Sequence, residues 1–203
     1  MRAINTVVER DIQEIISDSQ IFDAFRGKLI LVTGATGLIG SMVARSLIAV
    51  NDAYHLSLRV TCHVRNIEKA HHMFSDIVDS DILTFVDTPL ESLDIACDYI
   101  MHGASPTKSK YFVEHPVDTI RTSIHGTERM LELGKEQKIK GMVYLSSMEQ
   151  YGVPYESGQV MTEDRIGYLD HLNVRSSYSE SKRLCECYCK SYAVEFGVPV
   201  KIA

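Results

Sequence analysis

Eight residues, Thr33-Gly34-Ala35-Thr36-Gly37-Leu38-Ile39-Gly40, constrain the fold of this chain more than any other segment. The apolar run LILVT at 29–33 precedes them, and an apolar helical pattern at 39–50 follows. Three glycines at this spacing are weak evidence alone, and a plain glycine turn is their ordinary reading. Between a strand and a helix they describe a phosphate loop. Gly34 permits a tight turn, Gly37 lets the backbone approach a pyrophosphate, and Gly40 lets helix and strand pack closely. The helix that opens there offers unpaired N–H groups and a partial positive charge to phosphate. Gly34, Thr36, Gly37, Leu38, Ile39 and Gly40 are therefore the candidate phosphate-side residues of a dinucleotide site.

The rest of the chain repeats the alternation. Short apolar runs LRVTCHV at 58–64, ILTFV at 82–86, YIMHGA at 99–104, GMVYLSS at 141–147 and VPVKIA at 198–203 are separated by helical patterns at 67–75, about 116–138 and 178–196. Repeated β-α-β units predict an α/β fold, a doubly wound parallel sheet with strand order 3-2-1-4-5-6. The 203 residues suit one domain, and 45% hydrophobic with 24% charged residues excludes disordered, collagenous and coiled-coil classes. A net charge of −6 argues against a nucleic-acid partner. No apolar run approaches the ~20 residues of a membrane helix, so no membrane role is expected.

Residues 4–16 place Ile4, Val7, Val8, Ile12, Ile15 and Ile16 near one helical face, between charges that include Glu9, Asp11 and Glu14. No signal-peptide core carries such acids. The pattern predicts an amphipathic helix that packs on the domain or on a partner subunit. The expected organisation is an N-terminal helical extension over 1–27 and a dinucleotide-binding domain over 28–203. The chain stops at Ala203 inside an expected strand, which predicts a chain truncated at the sixth strand. Cys185, Cys187 and Cys189 fall on different sides of a helix and make a poor metal clamp. Five cysteines, an odd number, read as reduced thiols of a cytoplasmic protein. No histidine spacing suits a ligand set, His71-His72 reads as a solvated helix face, and no metal is expected.

The end of the second strand reads His63-Val64-Arg65-Asn66, with no acid before Glu68. An NAD site ordinarily places a carboxylate there to hold the ribose hydroxyls. Arg65 suits a 2′-phosphate, a stack on adenine or a solvated position, and so keeps NADP possible. Asp87, after the third strand, is a candidate for the adenine amino group. Farther along, Tyr178 and Lys182 stand four apart in YSESK and share a helical face. A nearby ammonium is expected to lower the phenol pKa, so that Tyr178 takes a hydroxyl proton while hydride leaves the same carbon for a nicotinamide.

Together TGATGLIG at 33–40, HGAS at 102–105, HGT at 125–127, SSMEQYG at 146–152 and YSESK at 178–182 resemble the extended short-chain dehydrogenase/reductase family, the NAD-dependent epimerases and dehydratases of nucleotide sugars. The resemblance runs from about residue 28 to the end. It implies a Rossmann-type sheet, a nucleotide-sugar substrate and a homodimer through the helices at 116–138 and 178–196. Family members continue into a substrate domain, so the resemblance implies that the C-terminal substrate domain is absent here. By position, Ser147 corresponds to the serine or threonine that binds the sugar hydroxyl, Tyr178 to the base, and Lys182 to the residue that holds the nicotinamide ribose. Gly103, Ala104, Ser105 and Ser146 correspond to residues lining the cofactor. Ser123 stands where the family usually has asparagine, a departure expected to loosen a hydrogen bond near the site. The segment 153–177, with Tyr155, Tyr168 and Arg175, is expected to border the sugar, with no role assigned to any one residue.

The triplet Ser147-Met148-Glu149 separates reactions. The family's 4,6-dehydratases carry Thr-Asp-Glu there, with the acid protonating the departing hydroxyl. Methionine has no proton to give, whereas a 4-keto uronate loses carbon dioxide without a donor. The segment from Ala104-Ser105-Pro106 through Pro116 and Thr119 to Gly126-Thr127, with Arg183 after Lys182, resembles UDP-glucuronate decarboxylases. The expectation is a decarboxylase-like enzyme with catalytic Ser147, Glu149, Tyr178 and Lys182. The alternatives are a dehydratase, a 4-epimerase and a non-catalytic dinucleotide-binding module. Glu149 as a loop cap and Met148 as core filler also stand open. A hydride returned within one turnover favours NAD as the cofactor.

Overall fold

The computed structural model describes residues 6–17, 21–77, 82–156, 158 and 160–203. Six parallel strands form one sheet in the order β3-β2-β1-β4-β5-β6, the order expected from the sequence. They are β1 (Leu29–Thr33), β2 (Arg59–His63), β3 (Leu83–Val86), β4 (Tyr99–His102), β5 (Gly141–Tyr144) and β6 (Val200–Ile202). The helices are α1 (Thr6–Ile16), α2 (Leu38–Tyr54), α3 (Ile67–Met73), α4 (Ser109–Glu114), α5 (Pro116–Gln137) and α6 (Ser176–Glu195). Short α4 has no counterpart in the sequence reading. The strands end earlier than the apolar runs, most visibly β5, because Ser147 turns out of the strand to cap the next turn.

The chain divides into two compact units, Met1–Thr88 with Ile95–Gly103, and Pro89–Asp94 with Ala104–Ala203. The first holds β1 to β4. Ile30 to Thr33 are all buried on β1, as a strand with both faces covered requires. Register pairs Thr33 with His63 and His102, and His63 with Val86, so the carboxyl ends of β1 to β4 lie level. Thr33 Oγ1 and His102 Nδ1 meet at 2.7 Å in the buried interior. The apolar core gathers Ile30, Val32, Leu58, Val60, Cys62 and Phe74. Helix α1 joins this unit through Ile16, which packs on that core and whose carbonyl accepts from the Tyr54 hydroxyl. Ile4 of the expected helix lies outside the described residues.

In the second unit α5 packs on α6, with Met130, Leu131, Leu133, Met142, Tyr144, Cys185 and Cys189 buried. Helix α5 starts on Pro116, whose missing N–H is harmless in a first turn. It ends where Lys138 adopts φ 52°. Cys187 is exposed, so the three α6 thiols face different ways, and among the described residues no disulfide forms. His71 and His72 are exposed, as read from the sequence.

Candidate active site

In the first unit the glycine loop has the geometry its sequence implies. Gly34 adopts φ 72°, and its carbonyl accepts from Gly37 N at 2.9 Å. A Cβ on Gly40 would overlap the Gly34 carbonyl oxygen and lie 2.9 Å from its carbonyl carbon. One on Gly37 would lie 3.2 Å from the same oxygen. The loop is a cradle of bare backbone that side chains would fill. Gly37 caps α2 and has no side chain to accept from the first-turn N–H groups, so these remain for a phosphate. Leu38 is 86% exposed, which leaves its backbone as the useful part. The cradle therefore fits a dinucleotide pyrophosphate.

Arg65 and Asp87 lie just past the level ends of β2 and β3, and both are exposed. Asn66 caps α3 by accepting from Lys69 N at 2.6 Å, so Arg65 precedes a fixed helix start. Gly103 follows β4, and its N–H reaches the Thr33 carbonyl at 3.2 Å. These positions share one edge of β1 to β4 with the loop.

The second unit assembles Ser147, Glu149, Tyr178 and Lys182. Ser147 leaves β5 and caps a 3-10 turn, Met148–Tyr151, its Oγ accepting from Glu149 N at 3.3 Å. The Ser147 side chain also hydrogen-bonds Tyr178. Glu149 is held at both oxygens, by Arg175 Nη2 at 2.9 Å on Oε1 and by Ser179 Oγ at 3.1 Å on Oε2. Its backbone N–H takes part in the cap, but its side chain does not serve as one. Tyr178 and Lys182 are both buried on α6. The Tyr178 ring stacks on Phe112 at 4.3 Å with 3° between planes, and the Arg175 guanidinium lies 4.9 Å from the Phe112 centroid on α4.

Lys182 corrects one expectation. Its ammonium donates to the Leu145 carbonyl at 2.7 Å and lies 5.8 Å from the Tyr178 ring centroid. Burial pushes Lys182 down to about 8. The Tyr178 phenol is raised rather than lowered, because burial outweighs the Ser147 hydrogen bond and the Arg175 charge that pull it down. Glu149 adds to the rise.

Met148 is 83% exposed and lines a cavity of about 560 Å³ with Ser146, Ser147, Tyr151, Glu163 and Glu186, so it is no core filler. The Ser146 hydroxyl donates to Glu186, and its N–H to the Ala203 carbonyl at 2.7 Å. Ser123 is buried, and its hydroxyl meets that of Ser105 at 3.4 Å. Arg183 donates to the carbonyls of Gln150, Tyr151 and Gly167 at 2.5, 3.2 and 2.9 Å. Tyr155 and Tyr168 are exposed. The sequence reading missed the parts of Phe112, Arg175, Ser179 and Glu186. The 3-4-4 spacing of Arg175, Tyr178, Lys182 and Glu186 on one helical face was a usable signal; nothing local marked Phe112.

A parallel sheet in the order 3-2-1-4-5-6, with a backbone cradle after its first strand, defines a Rossmann-like fold. The chain belongs to the NAD dependent epimerase/dehydratase family, whose family model matches residues 30–203. NAD is the cofactor of that family. The chain is 31% identical over 181 residues to UDP-glucuronic acid decarboxylase 1 of Danio rerio, covering 87% of this chain and 40% of that protein. It is 32% identical over 178 residues to UDP-glucuronic acid decarboxylase 6 of Arabidopsis thaliana, covering 86% and 49%. It thus spans less than half the length of these relatives. The fold resembles dTDP-glucose 4,6-dehydratase from Streptomyces venezuelae, with a TM-score of 0.70 and 21% identity over 86% of this chain and 54% of that one. A UDP-N-acetylglucosamine 4-epimerase from Methanobrevibacter ruminantium also has a TM-score of 0.70, at 22% identity over 87% and 54%. Among the described residues no helix is long and apolar enough to cross a membrane.

Proposed function

We propose that the protein belongs to an NAD-dependent decarboxylase that oxidises a nucleotide-bound uronate at C4 and releases its carboxylate as carbon dioxide. The observation that carries this reading is the Ser147-Met148-Glu149 turn. A thioether stands exposed at the cavity wall where elimination of water needs an acid, and its neighbour Glu149 accepts from Arg175 and Ser179. Met148 has no proton to give a departing C6 hydroxyl. Loss of carbon dioxide from a β-keto acid needs no such donor. The similarity to two UDP-glucuronic acid decarboxylases at 31% and 32% identity supports the same choice.

When bound, NAD would supply the hydride acceptor for C4. Gly34, Thr36, Gly37, Leu38, Ile39 and Gly40 would hold its pyrophosphate by backbone, Arg65 and Asp87 would border the adenosine, and Gly103, Ala104, Ser105 and Ser146 would line the remainder. Ser147 orients the C4 hydroxyl, and Tyr178 receives its proton. Lys182 binds the nicotinamide ribose from a buried position. When the C5–C6 bond breaks, its electron pair passes to C5 and the C4 oxygen as an enolate, which Ser147 and Tyr178 stabilise by hydrogen bonds. A proton from water then reaches C5 and restores the C4 ketone, and Tyr178 gives its proton back to the C4 oxygen as the hydride returns to C4. Glu149 presents a fixed negative charge that favours discharge of the substrate carboxylate as a neutral molecule.

The proposal extends to organisation. Residues 28–203 form the dinucleotide domain and 1–27 its extension. Exposed Val117 and Ile120 on α5, and Leu184 and Val194 on α6, suit a homodimer through those helices. Reduced thiols suit the cytoplasm. Mass spectrometry of the protein incubated with UDP-glucuronate and dTDP-glucose tests the reaction. Loss of carbon dioxide from the uronate supports it. Loss of water from the hexose would identify a dehydratase with its acid elsewhere, and overturn the argument from Met148. Inversion at C4 without a change of mass would identify an epimerase, and bound NAD without turnover a binding module.

A further inference from the structure

We propose that Arg175 is a positioning residue for Tyr178, acting through Phe112 and Glu149 as the cation that the tyrosine base requires. The inference rests on the reading of Tyr178 as the base and adds a role that the YSESK pattern does not contain. In that pattern the lysine is the obvious cation. Here the Lys182 ammonium is turned to the Leu145 carbonyl at 2.7 Å and lies 4.7 Å over the Tyr144 ring, nearer to that ring than to Tyr178.

Arg175 stands one helical turn before Tyr178, at the start of α6. Its guanidinium is fixed twice. One nitrogen bonds Glu149 Oε1 at 2.9 Å, and the planar group lies 4.9 Å from the Phe112 centroid. Phe112 in turn lies flat on Tyr178 at 4.3 Å. Phe112 therefore contacts both the guanidinium and the phenol ring, and a flat delocalised charge suits an aromatic face better than a compact ammonium. The stack keeps the phenol ring from turning away from Ser147.

Ser147 and Glu149 face Tyr178 from the turn after β5, Tyr144 from β5, Arg175 and Lys182 from its own helix, and uncharged Phe112 from α4. Glu149 opposes ionisation of the phenol, and Arg175 favours it. Arg175 therefore both offsets Glu149 and acts directly. A Glu149 without its arginine would raise the cost of making a tyrosinate beside it.

The test installs 3,5-difluorotyrosine at position 178, which brings the phenol into the neutral range, and follows its titration by fluorine NMR in the presence and absence of NAD. The two ring separations keep the guanidinium within about 9 Å of the phenol ring, where Coulomb's law at an effective dielectric constant of ~20 predicts a shift of about one pH unit. Arg175→Gln should move the midpoint upward by that amount, Glu149→Gln downward, and the double variant should return close to the starting value. Arg175→Lys should recover part of the shift, because charge survives while the flat stack does not. Circular dichroism identifies variants that fail to fold, and the folded Arg175→Lys then carries the comparison. An unmoved midpoint in folded Arg175→Gln or Arg175→Lys overturns the proposal. If the midpoint moves as stated while UDP-glucuronate is not decarboxylated, the reaction assigned above falls and the coupling between Arg175 and Tyr178 stands.

Discussion

Replacing Gly40 by alanine tests the phosphate cradle with the smallest possible change. The added methyl would overlap the Gly34 carbonyl oxygen and sit 2.9 Å from its carbon and 3.0 Å from Ala35 Cα. All three obstacles are backbone, so no rotamer change relieves them. The start of α2 must withdraw from the β1 end by a substantial fraction of an ångström. Overpacking of this kind costs about 2 kcal/mol. For a chain of this size that corresponds to a fall in Tm of about 4–8 °C. Withdrawal also moves the N–H groups of the first turn away from the phosphates, which should weaken NAD binding about tenfold or more, equivalent to ~1.4 kcal/mol. Calorimetric titration with NAD and thermal melting by circular dichroism measure the two effects on one sample. Gly27→Ala is the control. Gly27 adopts φ 66° with no atom within 4 Å of an added Cβ, so alanine there should cost about 1 kcal/mol in backbone strain and leave NAD affinity alone. A Gly40→Ala protein that melts and binds NAD as the parent does would refute the reasoning.

Tyr178→Phe keeps the stack on Phe112 and removes the proton acceptor, so turnover should vanish while NAD affinity and melting temperature persist; unchanged turnover would sink the enzyme reading. Phe112→Ala empties a fully buried site and should lower stability by about 3–5 kcal/mol, read from the urea midpoint; a cost below about 1 kcal/mol would show that the site collapses without penalty. Alkaline pH should destabilise the fold through buried thiols. Burial pushes Cys62 and Cys189 up to about 12 and Cys97 up to about 11. The unfolded chain releases these protons first, so stability present below pH ~9 is lost above it at about 1.4 kcal/mol per pH unit for each thiol. Lys182, held near 8, acts with the opposite sign up to its ordinary 10.5 and offsets about one thiol. Urea midpoints should therefore fall between pH 9 and 10.5, less steeply in Cys62→Ala, and a flat profile in the parent would contradict the burial of these groups.

The sheet was legible because each strand is a short apolar run between breakers, and the order followed from repeated crossovers together with the glycine loop after β1. Strand ends were less so: GMVYLSS reads as one run, yet Ser147 is worth more as a cap than as a seventh sheet residue. The members of the catalytic cluster were visible as residue types at fixed spacing. Their electrostatics were not. The direction of the Tyr178 shift depends on burial beneath Phe112, a residue 66 positions earlier on a short helix that no periodicity announced. Likewise Lys182 stands where the pattern puts it, but its ammonium points to a backbone carbonyl, and only tertiary packing decides that. Arg175 was noticed within a segment near the sugar, and its contact with Glu149 joins positions 26 apart.

The three carbonyls gripped by Arg183 belong to both ends of the segment between Tyr151 and Gly167, and Val153 and Tyr168 close it with paired backbone hydrogen bonds of 2.8 and 2.9 Å. The segment is therefore a loop clasped at its base, and the clasp is the neighbour of Lys182 on the helix that carries the chemistry. Doubling the length of a flexible loop costs only about 0.6 kcal/mol in closure entropy. Length changes beyond the clasp are therefore cheap and leave Tyr178 and Lys182 in register, whereas exchanges at Glu163 or Ile166 reach the cavity wall beside Met148. One arginine thus ties both ends of a cavity-walling loop to the helix that carries Tyr178 and Lys182.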